Sequence, residues 1–175
     1  SASQPDRAQP TAVAPIGWWD LADSALFYPD DLPADWCLTY FANAYAAVVV
    51  PWSSWSAADP EAIAAWREDV HDGFRFYLEQ PPAAVDRAQL QRAAEALGDT
   101  LAAWVAPLVS DDDAVLRCIG ASGGADAASA GYAVRATSDV RGNWRAARRW
   151  LEHITAAQGA APRLVILDRP TSAEL

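Results

Sequence analysis

Short apolar runs alternate with amphipathic helical patterns along most of this chain, and this alternation constrains the fold more than any other feature. The clearest example is the β-branched run AAVVV (46–50), which is typical of a strand covered on both faces. A helical pattern follows, with Asp59 as its N-cap and Pro60 at its first position. Because strands that alternate with helices pair in parallel, the sequence predicts an α/β fold with a mostly parallel sheet.

The number of strand patterns limits the size of this sheet. The chain has 175 residues and about six strand patterns, whereas a complete TIM-type barrel usually takes about 250 residues. We therefore predict a shortened or incomplete TIM-type barrel of about six β/α units, or an open sheet. Residues 1–15 are predicted to be a flexible arm, and residues 16–175 a single domain that begins with a strand over 16–19. The segment LAAWVAPLV (101–109) fits either a helix or a buried strand.

The strongest helical pattern lies near the carboxyl terminus. Asn143 is its predicted N-cap, and Gly159 follows its last residue. An apolar stripe at helical spacing predicts the face that packs on the sheet, and its members are Trp144, Ala147, Leu151 and Ile154.

Composition excludes several classes of function. The net charge is −10, and all 13 basic residues are arginines, so we expect no nucleic-acid partner. The absence of lysine excludes Schiff-base chemistry and a P-loop nucleotide site. Cys37, Cys118, His71 and His153 lack metal-site spacing, so no metal or other cofactor is predicted and the cysteines are interpreted as buried free thiols. No apolar run has membrane-spanning length, and a cytoplasmic location is the simplest expectation.

The first half of the chain resembles the YecE-like family of barrel proteins (domain of unknown function seventy-two). The resemblance covers roughly residues 16 to 82, with a fainter similarity at LGDTLAAWVAPL (97–108). It depends on a Gly-Trp strand, a Tyr-Pro turn before Leu-Pro, a Trp-rich helix and a Gly-Phe-x-Phe strand. These features fall on Gly17, Trp18, Tyr28, Pro29, Leu32, Pro33, Trp36, Tyr40, Gly73, Phe74 and Phe76.

The chain departs from this family at two positions where the resemblance implies polar groups. After the second strand the family usually has Glu, a branched apolar residue and Asn, but this chain has Val49, Val50 and Pro51. At the end of the third strand the family usually has lysine, and this chain has Glu79. Valine neither transfers a proton nor binds a cation, so we expect no catalytic residue at these positions. We also expect that this chain lacks the polar site that the family resemblance implies.

Aromatic residues are concentrated where the first strands are predicted to end. Aromatic side chains there either line a ligand pocket or fill the space that a shortened barrel leaves open. The candidate pocket residues are Trp18, Trp19, Tyr28, Trp52, Trp55, Glu79 and Arg135. Asp20 and Asp168 are further candidates for polar groups of such a pocket.

Arginine is unusual within a strand pattern, and Arg135 interrupts the strand YAVRATS (132–138). A buried arginine needs a partner, and Glu79 is the candidate if the two strands are neighbours. Anion binding is the alternative for Arg135, and Arg169, directly after the last strand, is a second candidate for an anion site.

The sequence therefore predicts a protein of unknown function that acts as a non-catalytic YecE-like binding or interaction module and self-associates. A shortened barrel would leave sheet edges and apolar strand faces that a second copy can cover. The alternative is a small-ligand binder or hydrolase-type enzyme with a Trp-rich pocket. The expected partners are thus another copy of the chain or a small molecule.

Overall fold

The computed structural model describes residues 10–82, 87–108, 115–121, 129–137 and 139–170. The strands are β1 (Ala12–Pro15), β2 (Ala47–Val50), β3 (Arg75–Glu79), β4 (Leu101–Val105), β5 (Val115–Gly120), β6 (Ser129–Ala136) and β7 (Leu164–Leu167). The helices are α1 (Ser24–Phe27), α2 (Cys37–Ala44), α3 (Trp52–Trp55), α4 (Pro60–Glu68), α5 (Arg87–Leu97) and α6 (Trp144–Gln158). Short 3-10 turns, Ala34–Trp36 and Gly98–Thr100, precede α2 and β4.

The strands form one sheet that nearly closes into a barrel. Their order is β1-β7-β6-β5-β4-β3-β2. The two ends of the sheet meet at a parallel bridge between Ile16 and Val49, where the Gly17 amide donates to the Val49 carbonyl oxygen at 2.7 Å. A sheet closed in this way presents few free edges, so the motive for self-association that depended on sheet edges is weakened.

The direction of β5 is the main departure from a repeated β/α pattern. It pairs antiparallel with β4 and with β6, while the other strand pairs are parallel. Residues 106–114 and 121–128, which flank β5, are fewer than the dozen or so that a parallel crossover requires. The predicted α/β class and mostly parallel sheet are confirmed, but the described residues contain seven strands rather than six regular β/α units.

Alternating side chains of the strands divide the core into two layers. Ala47, Val49 and Tyr77 belong to the cluster inside the barrel-like sheet. Val48 and Val50 point the other way and belong to the cluster that includes residues of α2, α4 and α5. A smaller cluster joins α6 to β6 and β7. The continuous β-branched run of β2 is therefore buried on both faces, as its sequence predicts.

Helix ends follow the predicted capping residues. The Asp59 side chain accepts a hydrogen bond from the Ala62 amide, and Pro60 occupies the first position of α4. Asn143 caps α6 in the same way, and Gly159 ends it in the left-handed conformation (φ 76°). The placement of Trp144 in the core stripe of α6 is wrong. It is 68% exposed, whereas the α6 residues that pack with β6 and β7 come from later turns of the helix, namely Trp150, Leu151 and Ile154.

The structure corrects the predicted position of the first strand and shows that the ambiguous segment 101–109 begins with a strand. The first strand lies at Ala12–Pro15, ahead of the predicted 16–19, because β1 pairs along its length with β7. Four residues of the predicted arm thus belong to the sheet, and residues 1–9 lie outside the described ranges. The ambiguous segment after Thr100 is a strand, β4, with four of its five residues buried between its neighbours.

The two cysteines lie in different environments, and this predicts different reactivity. Both are free thiols, but Cys37 is half-buried and Cys118 is fully buried, so the prediction of two buried thiols holds for Cys118 alone. Burial raises the pKa of the Cys118 thiol to about 11, an effect that the nearby Arg163 guanidinium partly offsets. At pH 8 roughly one such thiol in a thousand is ionised, and only the thiolate reacts.

We expect one thiol of the folded protein to react rapidly with a disulfide reagent at pH 8, and the second at least about 100-fold more slowly. Quantifying the released chromophore over time measures both phases. Replacing Cys37 by serine should remove the rapid phase alone. Equal rates for both thiols in the folded protein would contradict the burial of Cys118.

Candidate functional site

The carboxyl ends of the parallel strands meet at one face of the sheet, which we call the mouth. In parallel α/β barrels this end carries the functional loops. The predicted site residues follow β1 and β2 or lie at the ends of β3 and β6, and Asp168 and Arg169 follow β7 directly. The predicted site residues therefore lie at this end of the sheet.

Glu79 holds two loops of the mouth together. It is 8% exposed. Its Oε2 atom accepts a hydrogen bond from the Trp52 amide at 2.8 Å, and its Oε1 atom accepts one from the Leu108 amide at 2.7 Å. The carboxylate thus connects the start of α3 to the segment after β4. A carboxylate bonded to two backbone amides is suited to a structural role.

Trp55 and Trp52 form an edge-to-face pair beside Glu79. Their ring centroids are 4.7 Å apart, and Trp55 also contacts Trp104 at 5.5 Å. The Trp55 indole nitrogen donates to the Glu79 carbonyl oxygen at 2.9 Å. Trp55 is 1% exposed and belongs to the core, whereas Trp52 is half-buried.

Trp18 and Trp19 form a second edge-to-face pair, with centroids 4.6 Å apart. Trp18 is buried and also packs on Trp66 at 5.3 Å, whereas Trp19 is exposed. The Tyr28 hydroxyl donates to the Trp18 carbonyl oxygen, and burial raises the pKa of Tyr28. Four aromatic candidates therefore belong to the outer cluster or pack against it, namely Trp18, Tyr28, Trp52 and Trp55. The role of the aromatic candidates in a ligand pocket stays a prediction.

The condition for an ion pair between Arg135 and Glu79, that their strands are neighbours, is not met. In the sheet, β4 and β5 separate β3 from β6, so the two side chains lie on strands that are not neighbours. Arg135 instead lies opposite Ile166 in the β6–β7 register, and its Nη2 atom contacts the Asp168 Oδ2 atom at 3.0 Å. The Arg135 side chain is only 15% exposed, which makes this contact a largely buried one on the arginine side.

Two further arginines reach the end of β7. The Arg169 Nε atom lies 3.2 Å from the Asp20 Oδ1 atom, so this pair connects the ends of β7 and β1. Arg141, from the loop before α6, donates through Nη1 to the Asp168 carbonyl oxygen. Sequence reasoning missed Arg141, because the segment SDVRGN (138–143) reads as an ordinary polar loop.

A small cavity lies behind Trp55, between α3, α4 and α5. Its volume is about 90 Å³, and its lining residues are Trp55, Ala58, Pro60, Ile63, Gln89, Arg92 and Ala93. Ligand pockets for drug-sized molecules have several hundred Å³, whereas this cavity has room for a few waters at most.

The histidines, the possible metal ligands and the helices of the described ranges bear on catalysis, metal binding and membrane insertion. His71 and His153 are exposed and lie before β3 and on α6, so neither supplies a base at the carboxyl ends of the strands. Within the described residues no group of three or more His, Cys, Asp or Glu side chains could hold a metal ion. None of the helices in those ranges combines the length and the apolar character needed to cross a bilayer.

These features define an α/β protein with a nearly closed, mostly parallel sheet and a mouth built from tryptophans, carboxylates and arginines. The family described as "Protein of unknown function DUF72" matches residues 13–119, more than half of the chain. The chain therefore belongs to this family, and the resemblance seen in the sequence is confirmed. The match extends past the predicted residue 82 to β5 and ends before β6. Comparison with curated proteins and with solved structures gives no match.

Proposed function

We propose that this protein is a non-catalytic binding module that self-associates. The lack of catalytic chemistry is supported by Glu79, whose carboxylate oxygens are both engaged by backbone amides. It is also supported by Val49, which is fully buried where the family resemblance implies a carboxylate. The two free thiols fit a reducing compartment such as the cytoplasm.

The observation that carries self-association is an exposed apolar surface beside the mouth. Leu26 is 89% exposed and Trp36 is 60% exposed. Tyr40, one helical turn beyond Trp36, is also exposed and contacts Phe27 at 5.3 Å, which places α1 beside the start of α2. We call Leu26, Trp36 and Tyr40 the aromatic surface. Exposed tryptophan and tyrosine in one patch are typical of the centre of a protein interface.

The charge beside the aromatic surface indicates which part of a second copy would bind there. Exposed Asp30, Asp31 and Asp35 lie beside it in the sequence. Two such acidic patches repel each other, so two copies would not meet there symmetrically. The exposed side of α6 is complementary, because it combines Trp144 with three arginines. These are Arg145, Arg148 and Arg149.

The resulting association is head to tail, with α6 of one copy on the aromatic surface of the next. The single ion pair described on this side of α6, between Arg148 and Glu152, leaves an excess of positive charge on the helix. Opposite charges across the contact should make association weaker as salt concentration rises. A heterologous contact of this kind builds rings or open chains.

Removing either side of the contact should weaken self-association. Replacing Trp36 by glutamine is expected to raise the dissociation constant at least about 30-fold, since an interface tryptophan contributes about 2 kcal/mol or more. Arg149→Gln should weaken association by a smaller factor and reduce its salt dependence. Sedimentation velocity over a concentration series measures both effects.

Arg92→Gln is the matched control, because Arg92 is exposed on α5, outside both surfaces. This variant should sediment like the unmodified protein. A monomeric unmodified protein at about 100 μM and low salt, or unchanged association of Trp36→Gln, would rule out the proposal. The second candidate function, a small-ligand site at the mouth, is supported by the arginines there rather than by the tryptophans.

A further inference from the structure

The barrel-like sheet closes through a short contact between β1 and β2, the strands at the two ends of its order. Within the described residues these strands share one parallel bridge, between Ile16 and Val49. By contrast, β1 pairs with β7, and β2 with β3, along the whole length of each strand. We call the contact of Ala12–Gly17 with Ala47–Val49 the joint. We propose that the sheet opens reversibly at the joint while β1 stays on β7, because Pro15 prevents longer pairing with β2.

The backbone groups of β1 face its two neighbours in alternation. The Ile16 amide donates to the Leu167 carbonyl oxygen of β7 at 3.3 Å. The Gly17 amide points the other way and donates to the Val49 carbonyl oxygen of β2 at 2.7 Å. Because successive residues of a strand direct their backbone groups to opposite sides, residues 13 and 15 face β2 as well.

The sequence limits pairing on both sides of the bridge. The register of the bridge places Pro15 opposite the Ala47 carbonyl oxygen, but proline has no N–H to donate. Prolines in sheets are accordingly found where a strand lacks a full partner. On the other side, Gly17 has a φ of 75°, a left-handed conformation that turns the chain out of the strand. The pairing of β1 with β2 is therefore confined to the bridge.

The side chains at the joint add little to its stability. Ala14 and Ala47 lie two residues before the bridge on their strands, and both belong to the cluster inside the barrel-like sheet. Exposing a methyl group costs less than exposing a larger apolar side chain. On the outer side of β1, Val13 is 43% exposed. Segments with few backbone hydrogen bonds and few buried apolar contacts open at a lower free energy than the rest of a fold.

Opening at the joint differs from the association proposed above. It would expose Ala14, Ala47 and Val49 of the inner cluster to water, without separating β1 from β7. It depends on residues outside the aromatic surface and outside α6. Either proposal can therefore fail without the other.

Amide hydrogen exchange of the full chain, followed by nuclear magnetic resonance, tests the proposal at two adjacent residues. We expect the Gly17 amide to exchange at least about tenfold faster than the Ile16 amide, after each rate is divided by that of an unstructured peptide. The lengths of the two hydrogen bonds predict the opposite order, since the bond of Gly17 is the shorter one. Rates proportional to hydroxide concentration show that exchange reports the opening equilibrium.

Pro15→Val should strengthen the joint, because it supplies an N–H opposite the Ala47 carbonyl oxygen and a residue that favours strands. We expect this variant to slow the exchange of Gly17 relative to Ile16 at least about threefold. Pro82→Val is the matched control, since Pro82 is an exposed proline after β3. It should leave the ratio of the two rates within about twofold.

Three results would overturn the proposal. Equal exchange of the two amides would mean that β1 leaves both neighbours together or neither, and faster exchange of Ile16 would mean that β1 leaves β7 first. An unchanged ratio in folded Pro15→Val would show that Pro15 does not limit the pairing. Thermal unfolding shows whether the variant is folded. If it is not, Pro15→Ala replaces it, with the same expected slowing and the same contradicting result.

Discussion

Replacing Glu79 by alanine is expected to lower the free energy of unfolding by about 3–5 kcal/mol. The change leaves the amides of Trp52 and Leu108 without the carboxylate that accepts their hydrogen bonds, and a bond to a charged acceptor contributes about 1.5–3 kcal/mol. Such a loss is a large part of the total stability of a typical domain. Denaturant unfolding followed by the fluorescence of the nine tryptophans measures it directly.

Two further variants test whether the loss of stability comes from the Glu79 carboxylate itself. Glu79→Gln keeps the shape and one good acceptor, so we expect a smaller loss of about 1–3 kcal/mol. Glu68→Ala removes an exposed glutamate of α4 and should change stability by less than about 0.5 kcal/mol. If Glu79→Ala loses less than about 1 kcal/mol, the carboxylate has no structural role, and a ligand-binding role for Glu79 would be favoured instead.

Replacing Trp55 by alanine is expected to cost about 3–5 kcal/mol. Trp55 is among the largest fully buried side chains, and truncating a buried tryptophan removes apolar contacts and leaves a cavity. The cavity already present behind its ring would become larger. The hydrogen bond from the indole to the Glu79 carbonyl oxygen is lost as well. Denaturant unfolding with circular dichroism detection avoids the loss of a fluorescent reporter.

Trp144→Ala is the matched control at protein concentrations where the chain is monomeric, because this tryptophan is largely exposed at the start of α6. It should cost less than about 0.5 kcal/mol. Trp55→Phe keeps most of the apolar contact, so its loss of stability should lie between those of Trp55→Ala and Trp144→Ala. A loss below about 1.5 kcal/mol for Trp55→Ala would mean that the ring is not packed as the structure has it, and would return Trp55 to the list of ligand-contacting candidates. The double variant with Glu79→Ala should lose less than the sum, since both residues fix the same loop.

Most of the secondary structure could be predicted from short segments of sequence. The caps at Asp59 and Asn143 and the glycine after α6 act within a few residues of the helix ends that they define. The β-branched run of β2 similarly carries its own signal. The predicted position of the first strand is wrong because Val13 is the one strong strand former among Ala12–Pro15, and pairing with β7 holds this segment in the sheet.

The mouth could be predicted only in part. The order of strands and helices predicts its location, and the sequence offers Arg135, Asp168, Arg169 and Asp20 as candidates near strand ends. The pairing among them was not predictable, because it depends on which strands are neighbours. Arg135 meets Asp168 since β6 lies beside β7, whereas Glu79 lies on β3, which is not a neighbour of β6. Arg141 gave no signal, as its contact with Asp168 spans 27 residues of chain.

The sequence by itself determined most of the elements, the two-sided burial of β2 and the membership of the DUF72 family. These properties depend on residues close together along the chain, where periodicity, capping and backbone preference act. Tertiary structure alone decided that the sheet nearly closes, that β5 runs against its neighbours, that Glu79 bridges two loops and that three arginines meet at β7. Each of these depends on contacts between distant segments, and strand order and connection length bring those segments together.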